Sequence, residues 1–207
     1  NYDLNNNNNF DARGFPALDY MLHGLADNNE ELIDIYMTDS SYGEYLVDLI
    51  NNMVYNTNLI IADWVSFRDS FINSSGNTAT SSLNKMTNDF IYYYEKGLRA
   101  NKVGIPAGVF SNTTLPNTIE AYYKQDVSKV LLLEALQAAE NFFIGKHFNT
   151  DLVGPSLASY LNDLSVSSAN NLSSDISLAF NNAEDQINLL DDNFVYQIQE
   201  NNMQMLL

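Results

Sequence analysis

"SYGEYLVDLINNMVYNTNLIIADWVSFRDSFI", residues 41–72, decides the fold. Its apolar residues fall at Tyr45, Leu46, Leu49, Ile50, Met53, Val54, Ile60, Ile61, Trp64, Val65, Phe71 and Ile72. Most of those spacings are three or four residues, which gathers them on one stripe of an α-helix instead of alternating them across a strand. The polar turn formers of "INSSGNTATSS", residues 72–82, end the run. Ser82 or a neighbour then caps a further helix, with Leu83, Met86, Phe90, Ile91, Tyr94 and Leu98 as its apolar face.

Towards the N-terminus, "GFPALDYMLHG" (14–24) reads as a shorter helix. Pro16 sits near its start, where the first N–H groups lack partners in any case, and Gly24 takes the C′ position. The Asn-rich "NYDLNNNNNF" (1–10) reads as a loop. Towards the C-terminus, "NKVGIPAGVFSNTTLPN" (101–117) holds two glycines and two prolines and cannot continue a helix. It is long for a bundle connection. Helical pattern resumes at "TIEAYYKQD" (118–126) and runs through "VSKVLLLEALQAAENFFIG" (127–145), ending at Gly145. "GPSLASYLNDL" (154–164) is a short helix opened by Pro155, "SSDISLAFNNAEDQINLL" (173–190) an amphipathic one, and "DDNFVYQIQENNMQMLL" (191–207) begins the last. No run alternates convincingly as a strand. The expectation is an all-α fold of antiparallel helical bundles.

The chain has 207 residues, 45% of them hydrophobic, enough for one or two domains with a real core. No apolar stretch approaches the roughly 20 residues of a membrane helix. Against 26 acidic residues stand 9 basic ones, a formal charge of −17 that repels nucleic acid and anionic lipid surfaces. The absence of cysteine removes thiol catalysis, disulfides and cysteine-type zinc sites. The chain starts with Asn, and its last helix reads as cut while running. We therefore expect an incomplete chain, with a signal peptide or lipid attachment upstream of Asn1.

Three sets of residues carry candidate chemistry. Asp19 and His23 lie four apart on one helix face and can both reach one metal ion. The alternative for His23 is a cation at a helix C-terminus. Asp19 interrupts an apolar run, where a carboxylate is costly unless partnered. Glu95 and Arg99 are spaced as a helical ion pair, and with Asn88 and Lys102 they fall along one side of an α-helix. Arg99 offers a fork for a carboxylate or phosphate. Arg68 interrupts the long apolar stripe, and a buried arginine needs a carboxylate such as Asp19. His147 reads as surface. The metalloprotease, nucleophile-elbow, P-loop and dinucleotide signatures are all missing.

"GFPALDYMLHG" resembles the signature of the imelysin family of bacterial envelope proteins, Gly-x-His-x-x-Glu followed by apolar residues and often a glycine. "KVGIPAGVF" (102–110), "LPNTIEAYY" (115–123), "SLNKMTNDFIYYYEKGLR" (82–99), "EALQAAENFFIG" (134–145) and "GPSLASYLNDL" are similar to stretches of imelysin-like proteins of Bacteroidetes. The resemblance spans nearly the whole chain. It implies two bundle-like helical halves, the first truncated at its N-terminus. Residues 1–100 would be the remainder of that half, 101–117 the connection, and 118–207 the C-terminal half.

The family was named for a metallopeptidase, and many members are linked to iron uptake in the periplasm or on the outer membrane. Gly14 matches the motif glycine, Pro16 stands in place of the histidine, and Asp19 stands in place of the glutamate. One of the two ligands survives. The resemblance thus implies a non-catalytic binding component of iron or other metal uptake in the bacterial cell envelope, working in an outer-membrane or envelope complex. Its ligand cleft would draw on Gly14, Asp19, Arg68, Asn88, Glu95, Arg99 and Lys102, with Asp19 oriented by Arg68 or Arg99. Asp19 is the first candidate for iron or another divalent metal, and His23 a weak one. A metal-dependent peptidase and a docking module are the alternatives.

Overall fold

A computed structural model describes residues 3, 4, 6–165 and 171–206. Asn1, Tyr2 and Asn5 of the expected N-terminal loop, and Leu207 of the expected last helix, lie outside the described residues. Among the described residues there are eight α-helices and no strand, only an isolated bridge between Lys146 and Val153. None of these helices is long and apolar enough to cross a membrane. The chain divides into two compact units, residues 1–89 with 120–124, and residues 90–119 with 125–207.

The first unit is built on three helices, α1 (Gly14–His23), α2 (Asn29–Thr38) and α3 (Ser40–Asn73). Part of the Asn-rich stretch expected as loop winds instead into 3-10 turns over Asn7–Ala12, where the Asn6 side chain accepts the Asn8 N–H. Asn28 caps α2 by accepting from Glu31 N, and Asp39 caps α3 by accepting from Ser41 N at 2.9 Å. Helices α1 and α2 both pack on α3. The core they enclose is small: Leu4, Ala17, Met21 and Leu49, with Tyr36, Tyr42, Tyr45 and Leu46 around it. Two tyrosines pin α1 from its neighbours. The Tyr45 hydroxyl donates to Ala12 O ahead of the helix, and the Tyr36 hydroxyl donates to Met21 O near its end at 2.8 Å. Beyond Met53, α3 leaves this core, and Val54, Ile60, Ile61, Val65 and Ile72 are exposed. Ser82, expected as a cap for the following helix, donates its hydroxyl to Phe71 O and so closes the end of α3.

The boundary between the units falls inside α4 (Ser82–Tyr92). The second unit then departs from α geometry, because Tyr93–Gly104 is a π-helix with hydrogen bonds of the i→i−5 type, such as Ile105 N to Ala100 O at 2.8 Å. Helix α5 (Ser128–Ile144) is its centre, with Leu132, Leu136, Ala139 and Phe143 buried at four- and three-residue spacing. Around it stand α6 (Leu157–Ser165), α7 (Leu172–Asn188) and α8 (Phe194–Asn201). Phe90 stacks on Phe142 and Phe143, and Tyr94 meets Phe180 edge to face. Lys129 closes the C-terminus of α7 by donating to Asn188 O and Leu190 O while pairing with Asp192. Buried Gln197 is satisfied at both ends of its amide, by Asp191 N and Asn201 O. The last helix was expected to run on through the C-terminal residues, but it ends at Asn201 and tightens into 3-10 turns over Asn202–Leu206.

Candidate functional site

The signature segment begins at a forced turn. Gly14 holds φ +76, a left-handed conformation that side-chain-bearing residues adopt at a cost, while a Cβ there would meet only ordinary contact with Pro16 Cδ at 3.9 Å. The motif glycine is therefore a backbone requirement. Pro16 follows in the first turn and is exposed. Asp19 comes one turn later and is partly buried.

The Asp19 carboxylate accepts two consecutive backbone N–H groups, Tyr123 N on Oδ2 at 2.9 Å and Lys124 N on Oδ1 at 3.0 Å. These bridge more than 100 residues of sequence. The pattern 118–126, expected to be helical, is not. Ala121 has φ 56, and residues 119–124 form bends between two 3-10 turns. The amides that would have continued a helix are turned towards Asp19. A carboxylate receiving adjacent amides makes charge-assisted hydrogen bonds, stronger than neutral ones. This meets the cost of placing a carboxylate in an apolar run, without any arginine.

Aromatic packing completes the attachment. The ring of Tyr20 meets Tyr123 edge to face at 5.1 Å between centroids, and Tyr123 packs likewise on Tyr122. Gly24 is what lets these rings close. It has φ −110, so the left-handed C′ conformation expected of it is not used. A Cβ at Gly24 would lie 2.5 Å from Tyr20 Cδ2 and 2.6 Å from Tyr123 Cδ1. Both glycines of the signature are thus explained differently, the first by dihedral and the second by space.

The other sequence candidates are placed elsewhere. His23 is exposed in the last turn of α1, at the end where a cation complements the helix. Arg68, expected to be buried with Asp19 as partner, is exposed on α3 and pairs with Asp69 at 3.5 Å. Asn88 is an exposed residue of the first unit. Glu95, Arg99 and Lys102 belong to the second unit. The α-helical phase that would put all four in one row stops at Tyr92, where the π-helix starts. Arg99 donates from Nε and Nη2 to Glu95 Oε2 at 2.8 and 2.6 Å, an exposed pair that holds the guanidinium charged. Sequence reasoning missed Tyr123 and Lys124, because they act through backbone amides and no side-chain chemistry marks them.

The resemblance implies a metal, and the donors around Asp19 do not fit one. Residue 16 is proline, the Asp19 oxygens already receive two amides, and the imidazole of His23 is exposed at the helix end. Among the described residues, no group of three or more His, Cys, Asp or Glu side chains is placed to hold a metal ion.

Compared with known proteins, residues 2–207 match the family model for imelysin peptidases. No curated protein and no solved structure matches the chain.

Proposed function

The chain belongs to the imelysin family, and from that premise we propose that it is a non-catalytic binding component of the bacterial envelope. One observation carries this reading. The carboxylate at the motif position is engaged in holding the backbone of residues 123 and 124, and its neighbour one turn earlier is a proline. A catalytic metal keeps at least three protein ligands and an open position, and among the described residues no such donor set is placed around Asp19. The signature here serves to fasten a distant segment to α1. A place in iron or other metal uptake rests on what the family resemblance implies.

The test is direct. Purified protein should leave a casein substrate intact with or without added zinc or iron. Hydrolysis that disappears with chelator and with Asp19→Asn would restore the peptidase reading. Calorimetric titration with ferrous iron, ferric iron, haem and zinc should give, for any that binds, the same affinity in Asp19→Asn.

A second reading, a docking module, is favoured by α3. Met53, Thr57, Ile60, Trp64, Phe67 and Phe71 alternate at four and three residues, the spacing of a helix-packing seam. Trp64, Phe67 and Phe71 cluster with ring centroids 5.6–6.3 Å apart, while Trp64 and Phe67 stay about half exposed. Failure of all four metal and haem probes to bind would favour this reading.

A further inference from the structure

The second unit contains a cleft of about 340 Å³ that none of the preceding chemistry uses. This size falls within the roughly 300–1,000 Å³ of small-molecule sites. Its floor is α5, through Leu132 and Leu136, which are among the most buried residues of the chain. Ile187 of α7 and Met205 of the C-terminal turns add apolar walls. Asn182 and Gln186, one turn apart on α7, bring two side-chain amides to the rim. Among the described residues, the one charged residue lining it is Arg99.

Arg99 reaches this cleft because of the π-helix. Tyr94, Leu98, Arg99 and Val103 all line it, at spacings of four, one and four. In an α-helix, residues five apart lie well over a third of a turn from each other, so Arg99 would point away from the Tyr94 stripe. The wider i→i−5 turn brings positions four and five apart onto a common face. The π winding therefore adds a guanidinium to an otherwise apolar row. Glu95 takes the Nε hydrogen and one Nη2 hydrogen of Arg99, and the other Nη2 hydrogen with the adjacent Nη1 hydrogen forms a second fork for another acceptor.

We infer that this cleft binds a single-chain amphiphile with an anionic head, the alkyl chain along the half-buried Val103 and Ile187 and the head at Arg99 and the α7 amides. An apolar trough with one guanidinium and the side-chain amides of Asn182, Gln186 and Gln204 matches that class, because guanidinium recognises carboxylate and phosphate with two parallel hydrogen bonds. The charge of the whole chain sharpens the assignment. At −17 the protein repels free anions, so an anionic head is held here only where a local cation and an apolar chain act together. The site shares no residue with Asp19 or its partners, and does not depend on the reading proposed for them.

The experiment is calorimetric titration of the full chain with decanoate, monodecyl phosphate, decanol and decyltrimethylammonium, each below its aggregation range, with methyl NMR of Val103 and Ile187. Decanoate or monodecyl phosphate should bind and shift both methyl signals, and the stronger of the two identifies the head group. Decanol should bind at least about tenfold more weakly, and the cationic amphiphile not at all. Arg99→Gln, an exposed substitution, should weaken the anionic ligand about tenfold, the worth of one charge-assisted contact. Glu95→Gln, which removes the competing carboxylate, should tighten it about threefold. Absence of binding by both anionic probes, equal binding of decanol, or an unchanged affinity in Arg99→Gln would overturn the assignment.

Discussion

Helix α5 is buried on one face along its length, with Leu132, Leu136, Ala139 and Phe143 at 1–3% exposure. Helix α3 has 34 residues to the 17 of α5, yet Leu49 is its single buried residue and Val65 stands 76% exposed. Both helices carry apolar residues at three- and four-residue spacing, so periodicity alone does not separate them. What separates them is the supply of neighbours. Helix α5 has α6, α7 and the π segment around it, whereas α1 and α2 account for the early part of α3. Amphipathic pattern specifies a face to be covered. The cover itself is a tertiary fact.

The largest expected effect is the contrast itself. Leu132→Ala should destabilise the second unit by about 2–5 kcal/mol in urea denaturation, the cost of a cavity in a closed core. Ile60→Ala, on the open face, should change stability by no more than about 0.5 kcal/mol. Comparable costs at the two positions would mean that α3 is covered in solution. Trp64 is the sole tryptophan, so its fluorescence reports the same point independently. Its emission should be red-shifted and readily quenched by acrylamide.

Next in size come the two glycines of the signature segment. Gly24→Ala places a methyl against the rings of Tyr20 and Tyr123 and should cost about 1–3 kcal/mol by overpacking. Gly14→Ala meets no crowding and should cost about 1–2 kcal/mol through its left-handed backbone. Thermal denaturation of the pair, with the double mutant Gly24→Ala/Tyr123→Ala, separates the mechanisms. Removing the Tyr123 ring should relieve part of the Gly24 penalty and none of the Gly14 penalty.

A smaller effect belongs to Asp39. Accepting Ser41 N at the start of α3 holds its carboxyl below the usual 3.8. A depressed acid stabilises the fold above its unfolded value, and that contribution is lost as pH falls through the lower folded value. Fraying of the first turn of α3 should therefore set in only below pH 3.8, and Asp39→Ala should show it already at neutral pH, read by backbone amide exchange at Ser41. Tyr94 moves the other way. Burial, then the charge of Glu95, raises its phenol, so the stability it contributes is present at neutral pH and lost as pH rises through the raised value. Its ultraviolet titration should fall above the usual 10.0.

The helices of the second unit were legible in sequence because local pattern and tertiary cover agree there. Gly145 ends α5 where expected, and Ser156 next to Pro155 caps α6 by accepting Ser159 N. Legibility failed where a contact distant in sequence decides the conformation. Residues 118–126 carry helical pattern, but Asp19 takes the amides of 123 and 124, and the chain bends. The π winding of 93–104 was equally hidden, since Phe90, Tyr94 and Leu98 fit an α-helical stripe as well. Helix α2 went unread between the two stronger patterns. In the candidate site, Gly14 and Asp19 could be singled out from the signature, but the partners of Asp19 are backbone groups that no side chain advertises.

The central claim is that Asp19 fastens residues 123 and 124 and does not ligate a metal. The most direct measurement is NMR amide hydrogen exchange at Tyr123 and Lys124 in the native protein and in Asp19→Ala, each with and without ferrous iron and zinc. Protection at these two amides should drop about tenfold in the variant, the value of a hydrogen bond to a charged acceptor, while metal should leave the native rates unchanged. Protection that survives the substitution, or that metal abolishes in the native protein, would contradict it.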